Sequence, residues 1–232
     1  MSGTRLSIII PVLDEASFIE AALTALSPYR ARGVEVIVID GGSRDGTLAV
    51  ARPLADCVLS TRRGRATQMN AGAAVAQGEI LLFLHADTRL PDDADILVHD
   101  GLARSRRAWG RFDVRFDHGG WLSLIAFMMN LRSRWTGIAT GDQALFVTRA
   151  AFDAVSGFPT IVLMEDIALS TNLKRISRPF CIRARATTSA RRWRQYGTVR
   201  TTFLMWRLRM AYFFGADPAQ LARHYGYAPG EQ

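Results

Sequence analysis

Lysine is almost absent from this sequence: Lys174 is the only one, so nearly all the positive charge of a chain with formal net charge +8 is arginine. Cysteine is scarce too, with Cys57 and Cys181 alone, each inside a strand-like stretch and neither in a metal-ligand spacing. That argues against a disulfide-stapled scaffold or a zinc cage and leaves two buried free thiols in a reducing compartment as the expectation. No low-complexity tract or internal repeat occurs, which removes disorder and solenoid architectures. No apolar run reaches the ~20 residues a bilayer-spanning helix needs; the strongest, Trp121 to Trp135, falls short. The apolar run Leu6 to Leu13 lacks a small-residue cleavage site and meets Asp14 and Glu15 at once, so it reads as a buried strand rather than a signal peptide. Acidic residues are missing from Ile167 to Ala216, where Lys174 and ten arginines fall. A codon bias toward arginine explains the choice of cation but not this clustering. Such a stretch should meet anions: substrate phosphates, an anionic membrane surface or nucleic acid.

What is present suits one mixed α/β domain. With 232 residues, 49% hydrophobic and 22% charged, the chain can bury one sizeable core. Leu6 to Val12 and Val34 to Ile39 are short, β-branched and apolar on both faces, as strands of a helix-covered parallel sheet should be. Between them Phe18, Ile19, Leu23 and Leu26 recur at helical spacing. Cys57 to Ser60 reads as a short strand, Gly64 to Gln77 as a small-residue helix, and Ile80 to Leu84 as another buried strand. Residues 1–90 thus read as a Rossmann-like, doubly wound nucleotide-binding half. Residues 91–190 read as an acceptor and catalytic half, with a helix over Ala94 to Arg106. Within it Trp109 to Asp117 alternates, Phe112, Val114 and Phe116 on one face and Arg111, Asp113, Arg115 and Asp117 on a polar one. Ala144 to Val147 and Phe180 to Ala186 read as strands, Glu165 to Lys174 as a helix, and residues 191–232 as a basic, aromatic helical segment. No linker separates the halves, so residues 1–232 are expected to form a single domain.

Ligands of an open parallel sheet bind at the carboxyl ends of its strands. Strand one ends in Pro11-Val12-Leu13-Asp14-Glu15, strand two in Asp40-Gly41-Gly42-Ser43-Arg44-Asp45-Gly46-Thr47, and a later one in His85-Ala86-Asp87-Thr88. Asp40 can accept from a nucleobase edge, or the glycines and Ser43 can simply form a helix-capping loop. A carboxylate exposed at the end of an apolar strand, Asp87, suits Mg²⁺ or Mn²⁺, which take one or two carboxylates together with phosphate oxygens. His85 beside it is a supporting donor or a packed ring. Arg65 and Gln68 share a face of their helix, and an arginine fork suits diphosphate recognition. Glu165 and Asp166 open a helix either as dipole-compensating charges or with one of them, a base, facing a cleft, since neighbours on a helix diverge by about 100°. Asp142 either binds acceptor hydroxyls or caps a turn.

Together these stretches resemble the GT-A glycosyltransferases of family 2. The likeness rests on Ser7 to Glu15, Val38 to Thr47, Asn70-Ala71-Gly72, Gly78 to Thr88 and Met164-Glu165-Asp166, and covers Leu6 to about Ala211. It implies a GT-A fold and an inverting transfer from a nucleotide-diphosphate sugar to an unidentified acceptor. By that likeness Pro11, Asp14 or Glu15, and Asp40 line the nucleotide pocket, Arg65 and Asn70 hold the nucleotide or diphosphate, and Arg65 or Gln68 takes the place of the family's missing arginine. Asp87 matches the last carboxylate of the family's Asp-x-Asp metal motif and Asp166 the carboxylate that takes the acceptor's proton, with Glu165 second. Arg191 and Arg192 would clamp the diphosphate. Two departures stand out: His85 replaces the motif's first Asp, and Met69 replaces the usual Arg before Asn70. Gly64 to Asn70 and Leu84 to Thr88 are similar to small bacterial radical-SAM/selenodomain-associated, or arsenosugar-biosynthesis, glycosyltransferases.

Two rivals come from other classes. A nucleotidyltransferase should carry a glycine-rich basic loop after strand one, where this chain has Val12-Leu13-Asp14-Glu15. A nucleic-acid binder would use the charge and Trp193, Tyr196, Trp206, Tyr212 and Phe213. Acidic strand ends repel a phosphate backbone, so nucleic acid is not expected as a partner. The location expected is cytoplasmic, with Arg200 to Phe214 either docking at the inner face of an anionic membrane or packing as a helix on the core or in a homo-oligomer.

Overall fold

The computed structural model describes residues 5–226; residues 1–4 and 227–232, the end of the expected basic C-terminal segment, lie outside the described residues. In chain order the elements are β1 (Leu6–Val12), α1 (Ala16–Thr24), α2 (Ser27–Ala31), β2 (Glu35–Asp40), α3 (Thr47–Ala51), β3 (Cys57–Ser60), α4 (Arg65–Val75), β4 (Ile80–Phe83) and β5 (Thr88–Arg89). There follow α5 (Ala94–Ser105), β6 (Trp109–Phe116), α6 (Trp121–Thr136), a 3₁₀ turn (Gly141–Gln143), β7 (Phe146–Thr148), α7 (Arg149–Ala154), α8 (Glu165–Leu173) and β8 (Phe180–Thr188). Three helices close the described chain: α9 (Arg191–Tyr196), α10 (Thr198–Phe213) and α11 (Pro218–Tyr225).

One sheet runs β3-β2-β1-β4-β7-β6-β8-β5. Its first four strands are parallel, as the apolar runs predict. β7 is antiparallel to both β4 and β6, and β6 and β8 are again parallel. Burial on both faces explains the continuous apolar composition of β1 and β2. Ile8, Ile10, Val36 and Val38 face a core shared with Ile19 and Leu23 of α1. Ile9, Ile37 and Ile39 face the opposite core with Met69 and Ala73 of α4. Gly72 lets α4 lie close to the sheet: a Cβ there would stand 2.4 Å from Cγ2 of Ile9.

Three expectations are corrected. The polar face of β6 is solvated only in its second half: Arg115, and Asp117 just beyond the strand, are exposed, but α6 covers the first half, where Arg111 is 0% and Asp113 9% exposed. Arg111 donates to Ser133 Oγ at 3.1 Å, to the Asn130 carbonyl at 3.0 Å and to Asp113, whose carboxylate also accepts from Arg134 at 2.6 Å. Asn130 pairs its amide with both the N–H and the C=O of Val114, at 2.9 Å each, so α6 is joined to β6 by a side chain that imitates a strand. The strand expected from Ala144 begins only at Phe146, since Ala144 has the left-handed φ of 46°. Both cysteines are free, but each is only partly buried.

Candidate active site

The parallel half of the sheet brings the carboxyl ends of β1, β2 and β4 to one edge. Asp40 is 1% exposed, and its carboxylate accepts the N–H groups of Gly42 at 2.9 Å and Ser43 at 3.1 Å. The loop it shapes is laced to the end of β1. Asp14 N–H donates to Ser43 Oγ at 2.9 Å, Arg44 N–H to Asp14 Oδ1 at 2.8 Å, and Glu15 N–H to Thr47 Oγ1 at 2.9 Å. Asp14 takes a positive φ of 53° to do this. Beneath the loops, Gln68 Nε2 donates to the carbonyls of Val12 and Ile39, both at 2.8 Å. Asn70 clasps the loop after α7, donating to the Phe158 carbonyl at 2.8 Å and accepting the Phe158 N–H at 2.9 Å. None of these four side chains is among the residues that line the cleft: Asp40 and Gln68 are buried, Asn70 is half-buried and Asp14 is exposed.

The cleft itself has a volume of about 450 Å³. Pro11, Glu15, Arg65, His85 and Asp87 of the nucleotide-binding half line it together with Asp142, Glu165, Asp166, Arg191, Arg192 and Arg209. Among the described residues the Asp87 side chain has a single recorded contact, with the Thr88 hydroxyl at 3.5 Å. His85 is turned away from it, placing Nδ1 3.4 Å from Asp142. The Nε2–Cε1 edge of the imidazole lies against Gly141, where a Cβ would collide with it. Exclusion of water raises the Asp142 carboxyl pKa, but the hydrogen bond and charge of His85, with Arg65 and Arg209, outweigh it and hold the group below the usual carboxylate range.

At the start of α8 both members of the acidic pair line the cleft, which overturns the expectation that only one faces it. Glu165 is buried in the wall, 3.8 Å from Arg65 Nη1. Burial pushes its carboxyl up, and the adjacent Asp166 pushes further against the opposing pull of Arg65. Asp166 accepts the Gly141 N–H at 2.9 Å through Oδ2 and the Ile167 N–H at 2.7 Å through Oδ1. On the opposite rim Arg191 leans over the Phe18 ring at 4.6 Å and reaches Glu15 at 3.4 Å, a loose pair. Arg192 stacks on Tyr225 at 3.7 Å and donates to its carbonyl at 3.1 Å.

Sequence reasoning missed Arg132 of α6. Its Nε and Nη2 are buried and have no hydrogen-bond partner among the described residues. Burial first, then Arg209, lower its pKa to about 10 against the attraction of Asp166. The signal available was an arginine inside an apolar helical run. The His85–Asp142 contact, between residues far apart in the chain, left no trace in any local motif.

The donor chemistry fits a divalent cation of the Mg²⁺ or Mn²⁺ class only in part. Of the five carboxylates that line the cleft, Glu15, Asp142 and Glu165 face basic groups and Asp166 faces backbone N–H groups, which leaves Asp87; among the described residues no group of three His, Cys, Asp or Glu is placed to hold an ion. A cation sharing Asp87 with phosphate oxygens matches that set; a protein-built cage does not.

The profile of the family described as "Glycosyl transferase family 2" matches residues 7–156. The "PGL/p-HBAD biosynthesis glycosyltransferase" of Mycobacterium bovis is 35% identical over 163 residues, covering 67% of this chain and 59% of the relative. The "Succinoglycan biosynthesis protein ExoA" of Rhizobium meliloti is 35% identical over 116 residues, 44% of this chain and 34% of the relative. The chain thus spans about three fifths or less of these curated relatives. Among solved structures, a mannosyltransferase from Pyrobaculum calidifontis in complex with GDP-Man and Mn²⁺ has a TM-score of 0.65 at 23% identity, over 89% of this chain and 61% of that one. TarS of S. aureus in complex with UDP-GlcNAc has a TM-score of 0.65 at 17% identity, over 80% and 58%. At these identities the likeness establishes the fold.

Proposed function

Because the chain belongs to glycosyl transferase family 2, we propose that it moves a sugar from a nucleotide-diphosphate sugar to an acceptor hydroxyl, with inversion. The observation that carries this reading is one cleft lined both by Asp87, from the loop after β4, and by Glu165 and Asp166 from the start of α8. Asp166 takes the proton as the acceptor oxygen bonds to the anomeric carbon, and the bond from that carbon to the diphosphate oxygen breaks on the opposite face. Gly141 N–H, already on Asp166 Oδ2, fixes that carboxylate's direction. Glu165 is the second choice for base, and its place against Arg65 suits it better to orienting that guanidinium.

Asp87 would hold Mg²⁺ or Mn²⁺ with diphosphate oxygens, and such a cation supplies neutralisation of the charge that grows on the leaving group. Arg65, together with Arg191 and Arg192 released from their present contacts, would meet the diphosphate as bidentate donors. Pro11 and Glu15 border the nucleotide at the cleft, while Asp14, Asp40, Gln68 and Asn70 keep its loops in shape. Asp142, steered by His85, would receive an acceptor hydroxyl. The relatives' donors, UDP-GlcNAc for TarS and GDP-Man for the mannosyltransferase, differ in base and sugar and leave both open for this chain.

The test is thermal stabilisation by UDP-, GDP-, ADP- and dTDP-sugars with and without Mn²⁺, followed by donor turnover. Metal-dependent stabilisation by one nucleotide, lost in Asp87→Ala, is expected. Asp166→Asn should still bind that donor while turnover falls by about 10²- to 10⁴-fold. No stabilisation of folded protein by any donor would overturn the reading.

A further inference from the structure

Two helices on the acceptor side carry more exposed apolar surface than the fold explains. In α10, Val199, Phe203, Trp206, Met210 and Phe213 recur at alternating steps of four and three, a single stripe. All five are exposed, Val199 by 84% and Phe213 by 81%. The opposite face, with Leu204, Leu208 and Ala211, packs against Met164 and Leu221, so the helix already has its core partner and the stripe is surplus to it. In α6, Leu122 and Ala126 reach the core while Trp121, Leu124, Phe127, Met128 and Trp135 stay exposed. Soluble surfaces rarely carry so many large apolar side chains together.

Charge along both helices and the chain that flanks them is of one sign. No Asp or Glu lies between His118 and Gly141 or between Ile167 and Ala216. Arg200 and Arg207 each follow a stripe residue, so they flank the α10 stripe about 100° round the helix. Both are exposed. Through Met205 and Arg209 the other flank of α10 lines the cleft. No helix among the described residues is long and apolar enough to cross a membrane.

We propose that α10 and α6 form a docking face for an anionic lipid bilayer, which sets the mouth of the cleft at the membrane surface. Tryptophan and phenylalanine settle at the boundary of headgroups and acyl chains, and flanking arginines meet anionic headgroups. A second copy of the chain fits worse, since a two-fold contact through this face would bring arginines together with no acid in either helix to pair them. Nucleic acid fits worse as well: Val199, Met210, Leu124 and Met128 offer aliphatic groups where a single strand needs stacking planes. The inference is independent of the transfer chemistry, because neither the apolar stripes nor Arg200 and Arg207 line the cleft.

The experiment is co-sedimentation with phosphatidylcholine vesicles containing about 30% phosphatidylglycerol, at low and high salt. Light scattering without lipid and binding to a random single-stranded oligonucleotide accompany it. The wild-type protein should pellet at low salt, pellet less at high salt and much less with pure phosphatidylcholine. Phe203→Ser/Trp206→Ser/Phe213→Ser should lose at least tenfold in partitioning while keeping its melting temperature and its stabilisation by a donor nucleotide. Arg200→Glu/Arg207→Glu should lose the salt-sensitive part. Folded wild-type protein that stays in the supernatant at low salt overturns the proposal. So does a triple variant that pellets like wild type. A dimer that the triple variant dissociates, without vesicle binding, would assign the face to self-association. Oligonucleotide binding without vesicle binding would assign it to nucleic acid.

Discussion

Replacing Asp113 by alanine should be among the most damaging single changes outside the apolar core. Asp113 is 9% exposed and accepts from two guanidinium groups, that of fully buried Arg111 and that of Arg134 at 2.6 Å. Few atoms are lost in the change, so the packing contribution is small. The charge contribution is not: Arg111 would remain beneath α6 with its neutral acceptors, Ser133 Oγ and the carbonyls of Phe112 and Asn130, but no counter-charge. Stranding one partner of a buried ion pair costs about 3–5 kcal/mol. For a chain of this length, each kcal/mol lowers the melting temperature by about 2–4 °C, which gives a fall of roughly 6–20 °C. Circular dichroism melts and urea titrations of Asp113→Ala would measure it. Replacing both partners, as Arg111→Met/Asp113→Leu, should cost less than Asp113→Ala alone, because no charge is left unpaired. A loss under ~1 kcal/mol would equal that of an exposed pair. The Arg111–Asp113 part of β6 would then be wet, and the argument that α6 seals it would fail.

Other changes test other parts of the structure. Gly72→Ala gains helix propensity of up to about 1 kcal/mol, but its Cβ would stand 2.4 Å from Ile9 Cγ2 and 3.1 Å from Ile39 Cγ1. A net loss of roughly 1–2 kcal/mol in chemical denaturation is expected, and a gain would mean that α4 can lift from the sheet. Arg132→Met should leave the melting temperature unchanged or raise it, since Nε and Nη2 have no partner among the described residues to lose; a marked fall would reveal one. Glu165 has its folded-state pKa raised, so the native state binds the proton more tightly than the unfolded chain and stability drops as pH rises through the window between the two values. Glu165→Gln should therefore be stabilised relative to wild type at pH about 8, with the advantage fading below the ordinary carboxylate range near 4.3. An advantage that does not change with pH would rule out burial of the charge as its cause.

The legible part of the fold was the part governed by period and topology. Continuous apolar runs at Leu6–Val12 and Ile80–Phe83 could only be strands covered on both sides, and parallel strands put their ends on one edge. From that rule alone the neighbourhoods of Glu15 and Asp87 could be found, and both line the cleft. Alternation separated the two faces of β6, and Arg115 and Asp117 of the polar one are exposed, but it could not report that the Arg111–Asp113 part is dry; the sequence did not reveal that Asn130 and Ser133 of α6 would satisfy Arg111. A spacing of 100° misled at Glu165 and Asp166 because a cleft that wraps a helix end can receive both.

The laced loops change what Asp40 to Thr47 is read to do. A carboxylate that accepts from Gly42 and Ser43 uses part of its hydrogen-bonding capacity to hold its own loop, and Asp14 binds the same loop from the other side. A ligand placed against these loops would meet backbone held in one conformation, so little ordering would remain to be done on binding. The same reasoning covers Gln68, which joins the last turn of β1 to that of β2 through two carbonyls. On this reading the acidic strand ends divide their labour: Asp14 and Asp40 preorganise the wall, and Glu15 and Asp87 present charge to the cleft. That division needs both the parallel register that aligns Val12 with Asp40 and the glycines that follow, since Gly42 has φ +96° and a Cβ at Gly41 would press on Gln68 at 3.1 Å.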